Sequence, residues 1–460
     1  MNIITFNKTI ASLVTAPITQ NIAIIRVSGS ETYKIIQKIF AGPLPAYPQK
    51  EKKLVLGHII EPKTKEIIDQ VLLLCFYKPY SFTGEDLVEI DCHGNLFIVN
   101  KILNFILSRG ASLAEPGEFS KRAFFNGKIN LIQAQAINDL IRAPSLSAAK
   151  LALHNLTPHA QAELNKLEAE LLEIIATVEA NICYPEYDGV EYLTGKKISP
   201  RLQNLKQKLK KILSEGEQAK FYQEGVKVAI VGKPNVGKST LLNALLQEEK
   251  AIVSPLAGTT RDVIEGKYNL KGIPLILFDT AGIRPTENVV EKIGVARSKK
   301  TLEQAELIFF LLDNSRTWSP EDSQIWIAVK NKKTIVIVNK IDLEKKMTLP
   351  ENISSSDIVL IDAKAGKIQS LERKIKKLLT NDLEKIHSPY PFLSQSWQQN
   401  KLHEIIKKIK ETVLALQKEI PLAIISEDLQ SIFHLLQELN GKDYHPDLLE
   451  VIFSKFCLGK

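Results

Sequence analysis

The sequence predicts a multidomain fold of α/β and α type, and three observations carry the prediction. A stretch mixing strand-like and helical runs occupies the chain to about residue 120. Two stretches of helical period, 121–223 and 381–460, are separated in the chain. Between them, over 224–380, apolar runs of strand length alternate with helical ones, as in a doubly wound α/β sheet. Neither helical stretch is long enough for a complete bundle. The two read as one central helical domain interrupted by an inserted α/β domain, with an α+β domain at 1–120. A chain of 460 residues at roughly 150 per domain leads to the same expectation of about three domains.

Each element has its own justification. AIIRVSG (23–29), KLVLGHII (53–60), QVLLLCFY (70–77) and DLVEIDCHG (86–94) read as strands between turn residues. NLFIVNKILNFILSRG (95–110) has apolar residues at 98, 99, 102, 103, 106 and 107 and then Gly110, an amphipathic helix with a glycine stop. Leu164, Leu167, Leu171, Ile174, Val178 and Ile182 step by threes and fours, as do Leu202, Leu205, Leu209 and Ile212. VKVAIVG, LILFDTAG, AELIFFLLD, TIVIVNK and DIVLID supply the strands of the insert. Helical stripes return at Leu402, Ile405, Ile409, Val413 and Leu416, and at Leu429, Ile432, Leu436 and Leu439 before Gly441. The final FCLGK follows a last stripe of Leu449, Ile452, Phe453 and Phe456. Pro446 suits its start and Gly459 its stop, so the terminus is expected to be docked.

Composition excludes some classes. The longest apolar runs, VLLLCF and LIFFLL, are far shorter than the about 20 residues a membrane span needs, so no membrane association is expected. The opening MNIITFNKTIASLVTAP lacks the basic-then-apolar layout of a signal peptide, and a cytoplasmic location is expected. Cys75, Cys92, Cys183 and Cys457 lie far apart, with no spacing typical of a zinc or redox site. The net charge of +8 permits an acidic partner such as RNA, and a lysine-rich solvated surface explains it equally well.

The sharpest chemical signal is GKPNVGKST, 232–240, which fits G-x-x-x-x-G-K-[ST] between an apolar strand and a helical run. Its glycines let backbone N–H groups turn toward phosphate, Lys238 can reach the β and γ phosphates, and the Ser239 hydroxyl suits Mg²⁺. Three further elements follow in order. GTTRD (258–262) offers Thr260 to the Mg²⁺ shell; DTAG (279–282) offers Asp279 to Mg²⁺ through water and the Gly282 N–H to the γ-phosphate. NKID (339–342) places Asp342 to accept two hydrogen bonds that guanine can donate and adenine cannot, with Asn339 in support. DAK (362–364) would close the base pocket through the Ala363 N–H. GTP is therefore expected over ATP. Ile283 follows DTAG where many GTPases orient the attacking water with glutamine, so either the domain switches slowly or other groups complete hydrolysis.

These motifs, with IIRVSG, SFTGEDLVEI-CHGN, EPGEFSKRAFFNGKINL-QAQAINDLI and the terminal FCLGK, resemble the MnmE/TrmE family of bacterial-type tRNA-modification GTPases over nearly the whole chain. The resemblance implies an N-terminal folate-binding domain that forms homodimers, and a helical domain carrying the inserted G domain. It implies a flavoprotein partner of the MnmG (GidA) type that uses FAD and NADH, in a heterotetramer or larger complex. By the same resemblance the pair is expected to act on C5 of the wobble uridine of certain tRNAs, with a tetrahydrofolate derivative (5-formyl or 5,10-methylene) giving the carbon of a carboxymethylaminomethyl or aminomethyl group.

The family also completes the hydrolytic site, since its G domains pair when GTP and K⁺ bind, with K⁺ against the developing phosphate charge. Asn235 matches the potassium-ligating asparagine, with Ser254, Leu256 and Thr259 in the matching loop, and Glu291 matches the glutamate that orients water. The implied GTP-binding set is Asn235, Val236, Gly237, Lys238, Ser239 and Thr240; Ser254, Pro255, Leu256, Ala257, Gly258, Thr259 and Thr260; Asp279, Thr280, Ala281 and Gly282; Asn339, Lys340 and Asp342; and Ala363. Mg²⁺ falls to Ser239 and Thr260. Arg26, Glu89, Lys128 and Lys460 match the folate pocket, where Arg and Lys suit glutamate carboxylates and Glu89 suits the pterin's N–H donors. Taken by itself Cys457 reads as a buried thiol; the resemblance instead implies a place near the one-carbon group, where the thiol either assists chemistry or only lines the pocket.

The chain departs from the family in several places. APITQNIAIIR lacks the usual glycines before the first strand, CYPEYDGVEY replaces an acidic cluster, and DAK stands for SAK. Trp397 and Gln430 occupy positions where arginine is usual. Two alternatives belong to other classes: a ribosome-bound GTPase switch without folate chemistry, and a folate enzyme with a vestigial G domain.

Overall fold

The computed structural model of the chain describes residues 8–47, 52–183, 195–247, 266–270, 272–279, 302–379, 388–443, 446–457 and 459–460. It divides into two compact units, one of Met1–Asn138, Asn165–Val190 and Pro421–Lys460, the other of Asp139–Leu164 and Glu191–Ile420.

The first unit is built on a seven-stranded sheet. Its elements are β1 (Ile10–Leu13), β2 (Ile22–Ser28), α1 (Thr32–Gln37), β3 (Phe40–Ala41), β4 (Lys53–Ile60), β5 (Ile67–Phe76), β6 (Leu87–His93), α2 (Leu96–Leu107), β7 (Ser112–Leu113) and α3 (Glu118–Phe125). The strand order is β3-β4-β5-β6-β2-β1-β7, antiparallel except for the parallel β1–β7 pair. Period-2 alternation gives β5 one buried row, Val71, Leu73 and Cys75. These join Ile25, Val27, Val88 and Ile90 in a core with Ile35 and Ile36 of α1 and Val99, Ile102 and Ile106 of α2. Asn95 caps α2 by accepting the Phe97 N–H, and the expected stripe faces the core.

The opposite sheet face is less covered. Strand register aligns Leu54 with Leu74 and Leu56 with Leu72, then Leu74 with Glu89 and Glu89 with Arg26, so these side chains share one face. On it Leu54 is 65% and Leu56 56% exposed.

Two helices, α4 (Leu131–Arg142) and α6 (Pro158–Cys183), bracket α5 (Leu146–Leu156) in the chain. In α6 the expected stripe is buried from Leu164 through Val178, while Ile182, in the last turn, is exposed and Asn181 is buried instead.

The second unit carries a six-stranded sheet. After α7 (Gly195–Gln223) come β8 (Val226–Val231), α8 (Lys238–Gln247), β9 (Gly266–Leu270), β10 (Ile273–Asp279), β11 (Leu307–Asp313), α9 (Pro320–Val329), β12 (Thr334–Asn339), β13 (Ile358–Leu360), α10 (Gln369–Leu379) and α11 (Ser396–Gln417). The order β13-β12-β11-β8-β10-β9 is parallel except at β9, which pairs antiparallel with β10. That edge strand, GKYNL, has two buried side chains, Tyr268 and Leu270, too weak a period to announce itself. Both sheet faces are covered, one core gathering Ile230, Leu277 and Phe309 and the other Ala229, Phe310 and Val336. All seven residues of β11 are accordingly buried, the continuous apolar run a central parallel strand requires. The stripes of α7 and α11 are buried as expected.

Two further helices, α12 (Leu422–Leu439) and α13 (Pro446–Ser454), belong to the first unit and bury the stripes read from their sequences. Among the described residues no helix is long and apolar enough to cross a membrane.

Candidate functional site

The loop between β8 and α8 is held as a preformed cradle. The Lys238 ammonium folds back to donate to Gly232 O at 2.7 Å and Lys233 O at 2.8 Å, so its charge stays over the loop. Gly237 has φ 101°, and a Cβ there would lie 2.3 Å from Asn339 Nδ2, so both conformation and space demand glycine. Val236 is buried, whereas the side chains of Asn235, Ser239 and Thr240 are exposed on the loop and at the start of α8. The exposed Ser239 hydroxyl at a helix N-terminus beside a lysine is a donor set that fits a phosphate-bound Mg²⁺.

The NKID segment is tied to this loop from the far end of β12. Asn339, 2% exposed, donates to Val236 O at 3.0 Å and accepts the Ala363 N–H at 3.0 Å. One amide thus joins three loops. The Ala363 N–H, expected to face the base, is taken up by Asn339 in this arrangement. Lys340, at φ 63°, donates to Asn235 O at 2.8 Å and to Asp313 Oδ2 at 2.7 Å. Asp342 is exposed, and among the described residues its carboxylate has no hydrogen-bond partner, which leaves it available to donors on a base.

Asp313 was not singled out in the sequence. It ends β11, lies opposite Asn339 in the strand register and is 2% exposed. Burial opposes its charge, but hydrogen bonds from Lys340 and Ser315 outweigh that and hold its carboxyl below the usual value. A second missed anchor is Asp322, fully buried, which meets Lys233 of the loop at 2.6 Å. It also completes the capping box of α9 with Ser319. The signals were present: an acid closing the apolar run LIFFLLD, and Ser-Pro-Glu-Asp opening a helix.

Strand register sets Asp279 beside Ile230, at the sheet end that carries the phosphate loop. Ser254, Pro255, Leu256, Ala257, Gly258, Thr259, Thr260, Thr280, Ala281, Gly282, Ile283 and Glu291 lie outside the described residues.

The other sequence-predicted residues meet in the first unit. Arg26 on β2 pairs with Glu89 on β6, Nε to Oε1 at 2.8 Å and Nη2 to Oε1 at 2.7 Å. Its guanidinium also donates to Gly459 O at 2.9 Å and lies 5.6 Å from the Phe82 ring and 5.5 Å from the Phe119 ring. The C-terminus is therefore docked on the sheet, with Gly459 buried. Burial, then repulsion from Arg26, lowers the Lys460 ammonium's pKa, and the charge of Glu89 works the other way. Lys128 is exposed and donates to Pro79 O at 2.8 Å, across a cleft that Phe82 also lines. Arg26 and Glu89 thus satisfy each other, and the buried-thiol alternative for Cys457 is corrected: its side chain is exposed. Near by, Asp91 has its carboxyl pKa raised by burial and then by the Glu89 charge.

A buried ion network that reaches Ser28, two residues after Arg26 on β2, was also missed. Arg122, 1% exposed, meets Glu118 at 2.7 Å and Glu85 at 3.1 Å, and Ser28 donates to Glu85 at 2.8 Å. Gln430, where the family usually has arginine, donates to Glu179 at 3.0 Å.

Comparison with known proteins covers both parts of the chain. The family described as GTP-binding protein TrmE N-terminus matches residues 9–128, and the MnmE helical domain matches 131–457. A tRNA modification GTPase MnmE from Bacillus licheniformis is 41% identical over 459 residues, covering 98% of this chain and 100% of that protein. The MnmE of a Staphylococcus aureus strain is 40% identical over 443 residues, covering 95% of this chain and 96% of its own. A two-part family match across most of the chain, together with relatives of this identity aligned end to end, leads to one conclusion: the chain belongs to the MnmE family of tRNA modification GTPases.

Proposed function

We propose that the chain is a K⁺-activated GTPase that works with a flavin-dependent partner of the MnmG type on C5 of the wobble uridine of certain tRNAs. A tetrahydrofolate one-carbon unit supplies the carbon for a carboxymethylaminomethyl or aminomethyl product. The observation that carries the nucleotide half is the single bonded network joining the phosphate loop to NKID through Asn339 and Lys340. Lys238 and the loop N–H groups bind the phosphates, Ser239 and Thr260 hold Mg²⁺, and Asp279 reaches it through water. Asp342 reads guanine. Asn235, exposed on the loop, supplies the side chain for K⁺, with Ser254, Leu256 and Thr259 completing the shell, and Glu291 orients the attacking water. Bound K⁺ would stabilise negative charge developing on the transferred phosphate.

In the N-terminal domain Arg26, Glu89, Lys128 and Lys460 bind the folate. The Arg26–Glu89 pair presents a fixed polar edge between two aromatic rings, and Lys460 brings a cation whose charge a ligand carboxylate would favour. Cys457, whose side chain is exposed, is assigned in this reading to the neighbourhood of the one-carbon group. Homodimer formation suits the uncovered leucines of the sheet face. FAD and NADH belong to the partner, the location is cytoplasmic, and the boundaries 1–120, 121–223, 224–380 and 381–460 form part of this proposal. The test is GTP hydrolysis in K⁺ and in Na⁺ for the natural chain and Asn235→Ala. A K⁺-specific rate lost in the variant is expected; equal rates in all four assays would contradict the potassium mechanism.

A further inference from the structure

We propose that the cleft beside the Arg26–Glu89 pair takes the anionic γ-glutamyl tail of a polyglutamylated folate, with Lys52 as its outer carboxylate-binding residue. The inference rests on the folate assignment above and extends it to a residue outside the expected set.

The cleft is open to solvent, offers about 400 Å³ and is lined by Lys52, Phe76, Tyr80, Ser81, Phe82 and Lys128. That volume lies within the range of roughly 300–1,000 Å³ typical of small-molecule sites. Its place follows from strand register. Leu74 stands opposite Glu89, and Phe76 follows two residues along β5 on the same face, about 7 Å further on. Phe82 belongs to both places, since its ring lies 5.6 Å from the Arg26 guanidinium and also lines the cleft. The cleft is thus the direct continuation of the Arg26–Glu89 edge.

Its charge is one-sided. The Lys52 ammonium sits 5.7 Å over the Phe76 ring, and Lys128 is held by Pro79 O at 2.8 Å. Among the described residues neither ammonium has a carboxylate partner, and no acidic side chain lines the cleft. Lys128 is also fixed along its stem. A Cβ at Gly84, which has φ 77°, would come within 3.2 Å of the Lys128 Cγ, so the turn admits the lysine only because glycine is there. A pair of cations at the mouth of an aromatic cleft, continuous with a head-group site, fits a chain of carboxylates. It fits a single neutral ligand poorly.

The experiment measures binding of 5-formyltetrahydrofolate carrying one glutamate, or five γ-linked glutamates, to the full chain by equilibrium dialysis at low ionic strength. The natural chain is expected to bind the pentaglutamate roughly threefold to tenfold more tightly, with the gain shrinking as salt is added. Lys52→Ala should abolish most of the gain while leaving monoglutamate binding nearly unchanged, and Lys52→Arg should keep it. Equal affinities of the natural chain for both forms, with the monoglutamate still bound, overturn the tail site alone, as does a gain that survives Lys52→Ala. Failure to bind either form overturns the folate assignment and the tail site together.

Discussion

Asp313 shows how one buried carboxylate governs a loop it does not belong to. It holds the Lys340 ammonium at 2.7 Å, and Lys340 in turn holds Asn235 O at 2.8 Å. Asp313→Asn keeps the shape and removes the charge. Losing a charge-assisted contact of this kind should cost about 1 kcal/mol in nucleotide binding, roughly a fivefold rise in KM for GTP with little change in kcat. An unchanged KM would mean that the loop keeps Lys340 in place unaided. The same residue has a pH signature. Its folded pKa lies below the ordinary 3.8, so its stabilisation is fully present above that value and is lost as pH falls through the folded one. Asp313→Asn should therefore flatten the loss of stability below pH 3.8, read as urea midpoints across the acid range. At this scale the sequence was legible where a motif has a fixed pattern: Lys238 and Asn339 stand out in GKPNVGKST and NKID, and the structure holds both against the loop after β8. Asp313 and Asp322 carried local signals, a strand end and a helix cap, but their role depends on which segments the fold brings beside the loop, and spacing along the chain does not state that.

Elements were most legible where one face is buried along a helix. The stripes at 164–178, 202–212, 402–416 and 429–439 all face a core, because a 3.6-residue period has one way to hide its leucines. The strand β9 was missed because an edge strand needs to bury few side chains, and α3 because its buried face is partly ionic. Its Arg122 is buried between Glu118 and Glu85, joining EPGEFSKRAFF to SFTGED. Removing one partner leaves uncompensated buried charge, so Arg122→Ala should destabilise the chain by about 3–5 kcal/mol, visible as a lower denaturant midpoint. A shift within about 0.5 kcal/mol would mean that water replaces the guanidinium and that the network is not structural.

Over the whole molecule, the division into sheets and helices was readable from the alternation of periods. How the segments are shared out was not. The helices flanking the six-stranded sheet contribute to its core, with Ala148, Leu151 and Tyr222 packed alongside its strands. No local pattern in those helices names the strands they cover. The open face of the seven-stranded sheet supplies a prediction at this scale. With Leu54 and Leu56 exposed on it, the double variant Leu54→Glu/Leu56→Glu should shift self-association toward monomer in sedimentation, and an undiminished dimer would place the interface elsewhere.

The central claim is that guanine-nucleotide turnover by this chain serves modification of a wobble uridine. Its most direct test is mass spectrometry of nucleosides from tRNA of cells lacking the chain, complemented with the natural protein or with Lys238→Ala. The C5-modified wobble nucleoside should disappear on deletion, return with the natural protein and stay absent with Lys238→Ala. An unchanged level of that nucleoside in cells lacking the chain would contradict the claim.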